Sequence, residues 1–281
     1  MVFGQKAKVD SWKKSATYNR YIYTKPGEQD DPQSRATPLQ VGRAMYLEGN
    51  FVQAREFYLK LVGENEAATV EGWRGSIYCI LAQGQYFEAL QEAEKFAQAM
   101  PGSRQAASTW LYALAHTLKG AEAEQLTDKV RRLYLERSQA QDSQDFCWLL
   151  ESIFAFYRIG DITQALDSTS MWKSLFGQDI DKCQFFAEML FDLGKGDKAF
   201  PFLQVGVQKG IDRARMWYLH ALSAALNGNF DIAERSAQKL ARLHIDLPFA
   251  KKLPQEIEKL YAQSHGNGLK KALRFLMPWM R

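Results

Sequence analysis

The residues of this chain best suited to chemistry do not converge. Four histidines (His116, His220, His244 and His265) fall in different segments, without HxxxH or HExxH spacing and without carboxylates at ligand distance along the chain. Cys79, Cys147 and Cys183 are far apart on apolar stretches. An odd number of thiols without metal spacing reads as buried, reduced cysteine in a reducing compartment. Leu193-Gly194-Lys195-Gly196 pairs a glycine with a lysine. A phosphate-binding loop needs GxxxxGK, then Ser or Thr, between a strand and a helix, and this stretch lies between two helical patterns. Neither GxSxG nor a paired-carboxylate signature occurs. The expectation is a chain that is not an enzyme and needs no metal or cofactor.

The elements that would position these residues are helices. Between Val70 and Pro101, apolar residues recur at helical spacing on both sides of Gly84-Gln85: Ile77, Ile80 and Leu81 before it, Leu90, Ala93, Phe96 and Ala97 after it. Trp73, the Gly84-Gln85-Tyr86 turn, Ala89 and the closing Pro101 together resemble a tetratricopeptide repeat, a helix–turn–helix unit of about 34 residues. The turn recurs at Gly49-Asn50-Phe51, Gly160-Asp161-Ile162, Gly194-Lys195-Gly196 and Gly228-Asn229-Phe230, each followed by an alanine. With a degenerate copy at Gly120, the turn glycines are spaced 35, 36, 40, 34 and 34 residues apart. Gly supplies the left-handed conformation that ends the first helix, and the small Ala lets the second approach closely.

The predicted fold is all-α, a right-handed α-solenoid of about six such pairs plus a C-terminal capping helix. Pairs are placed near 37–63, 69–99, 104–137, 142–176, 180–209 and 212–243. As domains, residues 1–34 form a flexible basic arm, 35–248 the array, 249–265 the cap and 266–281 a basic amphipathic segment. The third copy keeps Trp110 and Gly120 but loses the aromatic and Ala beyond the turn, and a longer connection follows it. That connection leaves open a kink between two groups of three pairs, with a longer unhinged helix the preferred form.

Charge is uneven along the chain. The total is +4; residues 1–25 carry a net +5 and residues 266–281 a net +4, which leaves −5 on the body between them. The basic residues form no stripe along the repeats, so nucleic acid is not an expected partner. In GNGLKKALRFLMPWMR, a helix would set Leu269, Leu273 and Leu276 opposite Lys270, Lys271 and Arg274, with Trp279 near its end. Such a segment suits either an anionic membrane face or the exposed end of the array. No apolar run reaches the roughly 18 residues of a transmembrane span, and no secretory signal core is present, which points to a cytoplasmic protein.

Tetratricopeptide arrays bind protein segments on the concave face formed by their first helices. The resemblance therefore implies a peptide-binding groove at Arg43, Tyr46, Arg74, Tyr78, Trp110, Phe154, Tyr157, Arg158, Glu188 and Tyr218. Rings give contact area at low entropic cost, and Arg pairs with carboxylates. The Lys/Asn pattern that clamps acidic chaperone tails is not met, because those positions hold Leu39, Arg43, Arg74 and Tyr78. The implied role is a non-enzymatic scaffold or adaptor, with peripheral attachment to a membrane or polyanion through the basic tails as the alternative.

Overall fold

The computed structural model describes residues 37–118, 120–135, 145–243 and 248–265, and all of its regular structure is helical. The helices are α1 (Pro38–Glu48), α2 (Phe51–Leu59), α3 (Glu66–Ala82), α4 (Tyr86–Ala99), α5 (Arg104–Thr117), α6 (Thr127–Tyr134) and α7 (Phe146–Arg158). They continue as α8 (Ile162–Phe176), α9 (Ile180–Asp192), α10 (Phe200–Gln208), α11 (Ala214–Leu226), α12 (Phe230–Arg242) and α13 (Pro248–His265). Among the described residues no helix is long and apolar enough to cross a membrane.

The recurring turn has one physical form. At the end of α3 the Gln85 amide donates to the Ile80 carbonyl and the Gly84 amide to Leu81, at 3.2 and 2.8 Å. This double closure of the last carbonyls requires a left-handed residue, and Gly84 sits at φ 76°. The same closure ends α7, α9 and α11. The alanines beyond the turns, Ala54, Ala89, Ala165, Ala199 and Ala233, are all fully buried. In the third copy Gly120–Leu126 winds as a 3-10 helix before α6 begins, and in the fifth Gly196–Ala199 does so before α10. Pro201 lies in the first turn of α10, where its missing N–H costs little.

The chain divides into two compact units. Of the described residues, the first takes those within 37–46 and 50–182, the second those within 47–49 and 183–265. In the first unit α3 packs on α2, α4 and α5, and α7 packs on α5, α6 and α8. The α2–α3 approach is close enough that a Cβ on Gly75 would overlap the Tyr58 ring. In the second unit α11 is the central helix, packed against α10, α12 and α13. Leu253 and Ile257 are buried residues of α13. The N-terminal arm, the connection 136–144 and the basic segment with Lys270, Lys271, Arg274 and Trp279 lie outside the described residues.

Candidate functional site

In the first unit the helical period gathers polar side chains from four helices around one carboxylate. Arg74 and Tyr78 stand one turn apart on α3, as do Ser108 and Tyr112 on α5, so each pair shares a face. Glu151 interrupts the apolar run of α7 and is fully buried. It accepts from Arg74 Nη2 at 3.2 Å, Tyr78 Oη at 2.9 Å and Thr109 Oγ1 at 2.8 Å, and from Ser108 Oγ. Ser108 is also within 2.8 Å of Tyr134 Oη from α6. Asp145 caps α7 through the Cys147 and Trp148 amides and receives Arg74 Nη1 at 2.7 Å. One arginine on α3 thus holds both the cap and the middle of α7.

Burial opposes both charges, but the net outcome differs. Burial pushes the Glu151 carboxyl above its ordinary range, with Arg74 and the Ser108 and Thr109 hydroxyls pulling the other way. For Arg74 burial also opposes the charge, but the neighbouring negative groups, Glu151 foremost, outweigh it and raise its pKa. Desolvating a carboxylate costs more than a single partner returns, and the surrounding donors make up much of the remainder.

The second unit carries a smaller cluster. Glu188 on α9 holds Arg215 on α11 through two contacts, 3.3 and 3.0 Å, in a fork-on-fork arrangement. The Arg215 guanidinium lies 5.2 Å from the Tyr218 ring centre and 5.3 Å from that of Phe249, and Tyr218 Oη donates to Glu256 at 2.8 Å. Asp192, one turn beyond Glu188, is exposed. His220 is neutral in its surroundings, with Nδ1 at 2.8 Å from Ser236 Oγ and Nε2 at 2.8 Å from Gln204 Oε1.

The residues of the implied groove divide by burial. Tyr46, Arg74, Tyr78, Phe154, Glu188 and Tyr218 are buried. They are engaged by other parts of their own unit: Tyr78 and Phe154 both meet the Tyr112 ring edge-on, at 5.5 and 4.9 Å. Arg43, Trp110, Tyr157 and Arg158 keep partial exposure, all four in the first unit. Arg43 lies 3.7 Å from Glu71 and 5.7 Å from the Phe146 ring centre. Trp110 stands beneath Lys129 Nζ at 4.9 Å, and Arg158 Nε donates to the Ala115 carbonyl at 3.0 Å. Glu151, Asp145, Ser108 and Thr109 were not singled out by the sequence reading; a lone acid inside FCWLLESIFAFY was the available signal for Glu151.

Burial raises the thiol pKa of Cys79 and Cys147, which keeps both protonated and unreactive at neutral pH. Among the described residues no group of three or more His, Cys, Asp or Glu side chains is placed to hold a metal ion. No protein-family model matches the chain, and no curated protein matches it.

Proposed function

We propose that the chain is a non-enzymatic interaction scaffold of the tetratricopeptide kind, its helix pairs stacked as a right-handed solenoid, which holds a segment of a partner protein on the face made by its first helices. The observation that supports this reading is the partial exposure of four implied groove positions in the first unit. Arg43, Trp110, Tyr157 and Arg158 present partial surface, while Arg74, Tyr78 and Phe154 are buried. Partly exposed aromatic and arginine side chains on first helices suit recognition of an extended or helical peptide. Because Tyr46 and Tyr78 are buried, the informative substitutions are Arg43→Ala, Trp110→Ala and Tyr157→Ala. In affinity capture with mass spectrometry from the source cell, the reading expects the triple variant to lose partners that the parent chain retains, at unchanged helicity. Identical recovery would move the site off these residues.

A second reading rests on charge. The net +5 of residues 1–25 and +4 of residues 266–281 favour an anionic surface. Co-sedimentation with phosphatidylserine vesicles at low salt tests it, and protein left in the supernatant rejects it.

A further inference from the structure

His116 is half-buried against three rings, the outermost of which, Tyr86, is exposed. On α5 its imidazole stacks on Phe154 of α7, with ring centres 4.2 Å apart and planes 18° apart. Tyr86 of α4 lies nearly parallel at 5.5 Å, and Tyr112 meets the ring edge-on at 4.7 Å. Nε2 is shielded from solvent and, among the described residues, has no hydrogen-bond partner. The charged group that acts on the ring is Arg158 of α7, itself anchored to the Ala115 carbonyl. Among the described residues no acid acts on the ring; Glu124, in the 3-10 segment that packs on α5, is exposed. Glu88 of α4 is engaged by Arg55 at 2.8 Å, Tyr78 of α3 stands behind Tyr112, and α6 reaches α5 at the Ser108–Tyr134 contact.

From this geometry we infer that His116 is an acid-sensitive joint, at which protonation separates α5 from α4 and α7 while the Glu151 cluster at the other end of α5 still holds. A proton on the imidazole would place a second cation beside Arg158 and bury an N–H donor without an acceptor, and both disfavour the closed packing. Burial, aided by the Arg158 charge, holds the His116 pKa down at about 3. An opened ring returns to its ordinary value near 6.5. The sign follows: above 6.5 both forms are neutral, and as pH falls below it only the open form gains a proton. Closed packing is therefore lost progressively toward acid, in a window that opens below about 6.5 and extends toward 3. The joint couples to the proposed binding face, because Tyr157 and Arg158 lie at the same end of α7. That functional consequence rests on the scaffold reading, whereas the joint does not.

The test is hydrogen–deuterium exchange of the full chain from pH 7.5 to 4, corrected for intrinsic rates, on the parent and His116→Phe, which keeps a ring and removes the titration. The expected result is loss of protection in residues 86–99, 104–117 and 146–158 of the parent ahead of the rest of the first unit. In His116→Phe that loss should move at least one pH unit lower. Coincident profiles would overturn the inference. Should His116→Phe be loosened already at pH 7.5, the parent's own ring resonance decides. A ring that stays neutral until the helices open supports the joint, and reversible titration near pH 6.5 with protection intact overturns it. Partner capture plays no part in this readout, so failure of the scaffold reading would leave the result standing.

Discussion

Arg74 and Glu151, 77 residues apart, form an ion pair at 3.2 Å with exposures of only 2% and 0%. Breaking it from one side leaves an uncompensated buried charge, whereas removing both charges forfeits only their small net gain. Arg74→Leu alone is expected to destabilise the first unit by about 3–5 kcal/mol. The double variant Arg74→Leu/Glu151→Leu should cost clearly less than the sum of its singles, read by urea denaturation as a double-mutant cycle. Additive losses would mean that the two charges are stabilised independently, by the hydroxyls and by Asp145.

The turns and the Glu151 cluster were not equally legible in the chain. Gly84, Tyr86 and Ala89 satisfy constraints that act over a few residues, so their identity and spacing carry the helix order directly. The third and fifth copies follow the same logic: where Glu122 or Gly196 replaces the large apolar residue two past the turn glycine, the second helix starts late, after a 3-10 segment. Glu151 depends on partners drawn from α3, α5 and α6, and no local rule places those together. The implied groove positions rest on the helical period, and period alone does not say whether a face meets water or another helix. For Arg74 and Tyr78 it meets α7, so residues suited to a ligand serve the fold instead.

Two glycines separate close packing from backbone conformation. At Gly75 an added methyl runs into the buried Tyr58 ring, so Gly75→Ala should cost about 1–3 kcal/mol through overpacking. At Gly84 an added methyl meets nothing within 4 Å, but φ is 76°. Gly84→Ala should cost about 1–2 kcal/mol, and Gly84→Asn less, because Asn tolerates the left-handed region. Thermal melts of the three variants check the ordering Ala above Asn at position 84. Equal losses for Ala and Asn there would point away from conformation as the cause.

Helix α4 offers a contrast between its two faces. Phe87 is 77% exposed and Phe96 fully buried against Trp73, with stacked rings 5.9 Å apart. Phe96→Ala is expected to cost about 3–5 kcal/mol, as for other buried aromatics. Phe87→Ser should stay within about 0.5 kcal/mol of the parent chain. If Phe87→Ser melts several degrees lower, the outer side of α4 is covered in solution.

The second unit should show its own acid dependence through His220. Its ring is buried and neutral, stacked on Phe200 with ring centres 4.9 Å apart, and both nitrogens are occupied by Ser236 and Gln204. Burial lowers its pKa to about 4, whereas in the unfolded chain it returns to about 6.5. Above that value neither state carries the proton, and the contribution to stability is complete. As pH falls, the unfolded chain binds the proton first, and stability declines until the folded pKa is passed. Between about pH 6.5 and 5 this one group accounts for a loss of at most about 2 kcal/mol. Replacement by Gln keeps a side chain able to donate and accept but removes the titration. His220→Gln should therefore unfold at lower urea than the parent at pH 7.5, while losing less of its midpoint on going to pH 5. A variant whose midpoint falls by as much as that of the parent would assign the acid dependence of this unit to other groups.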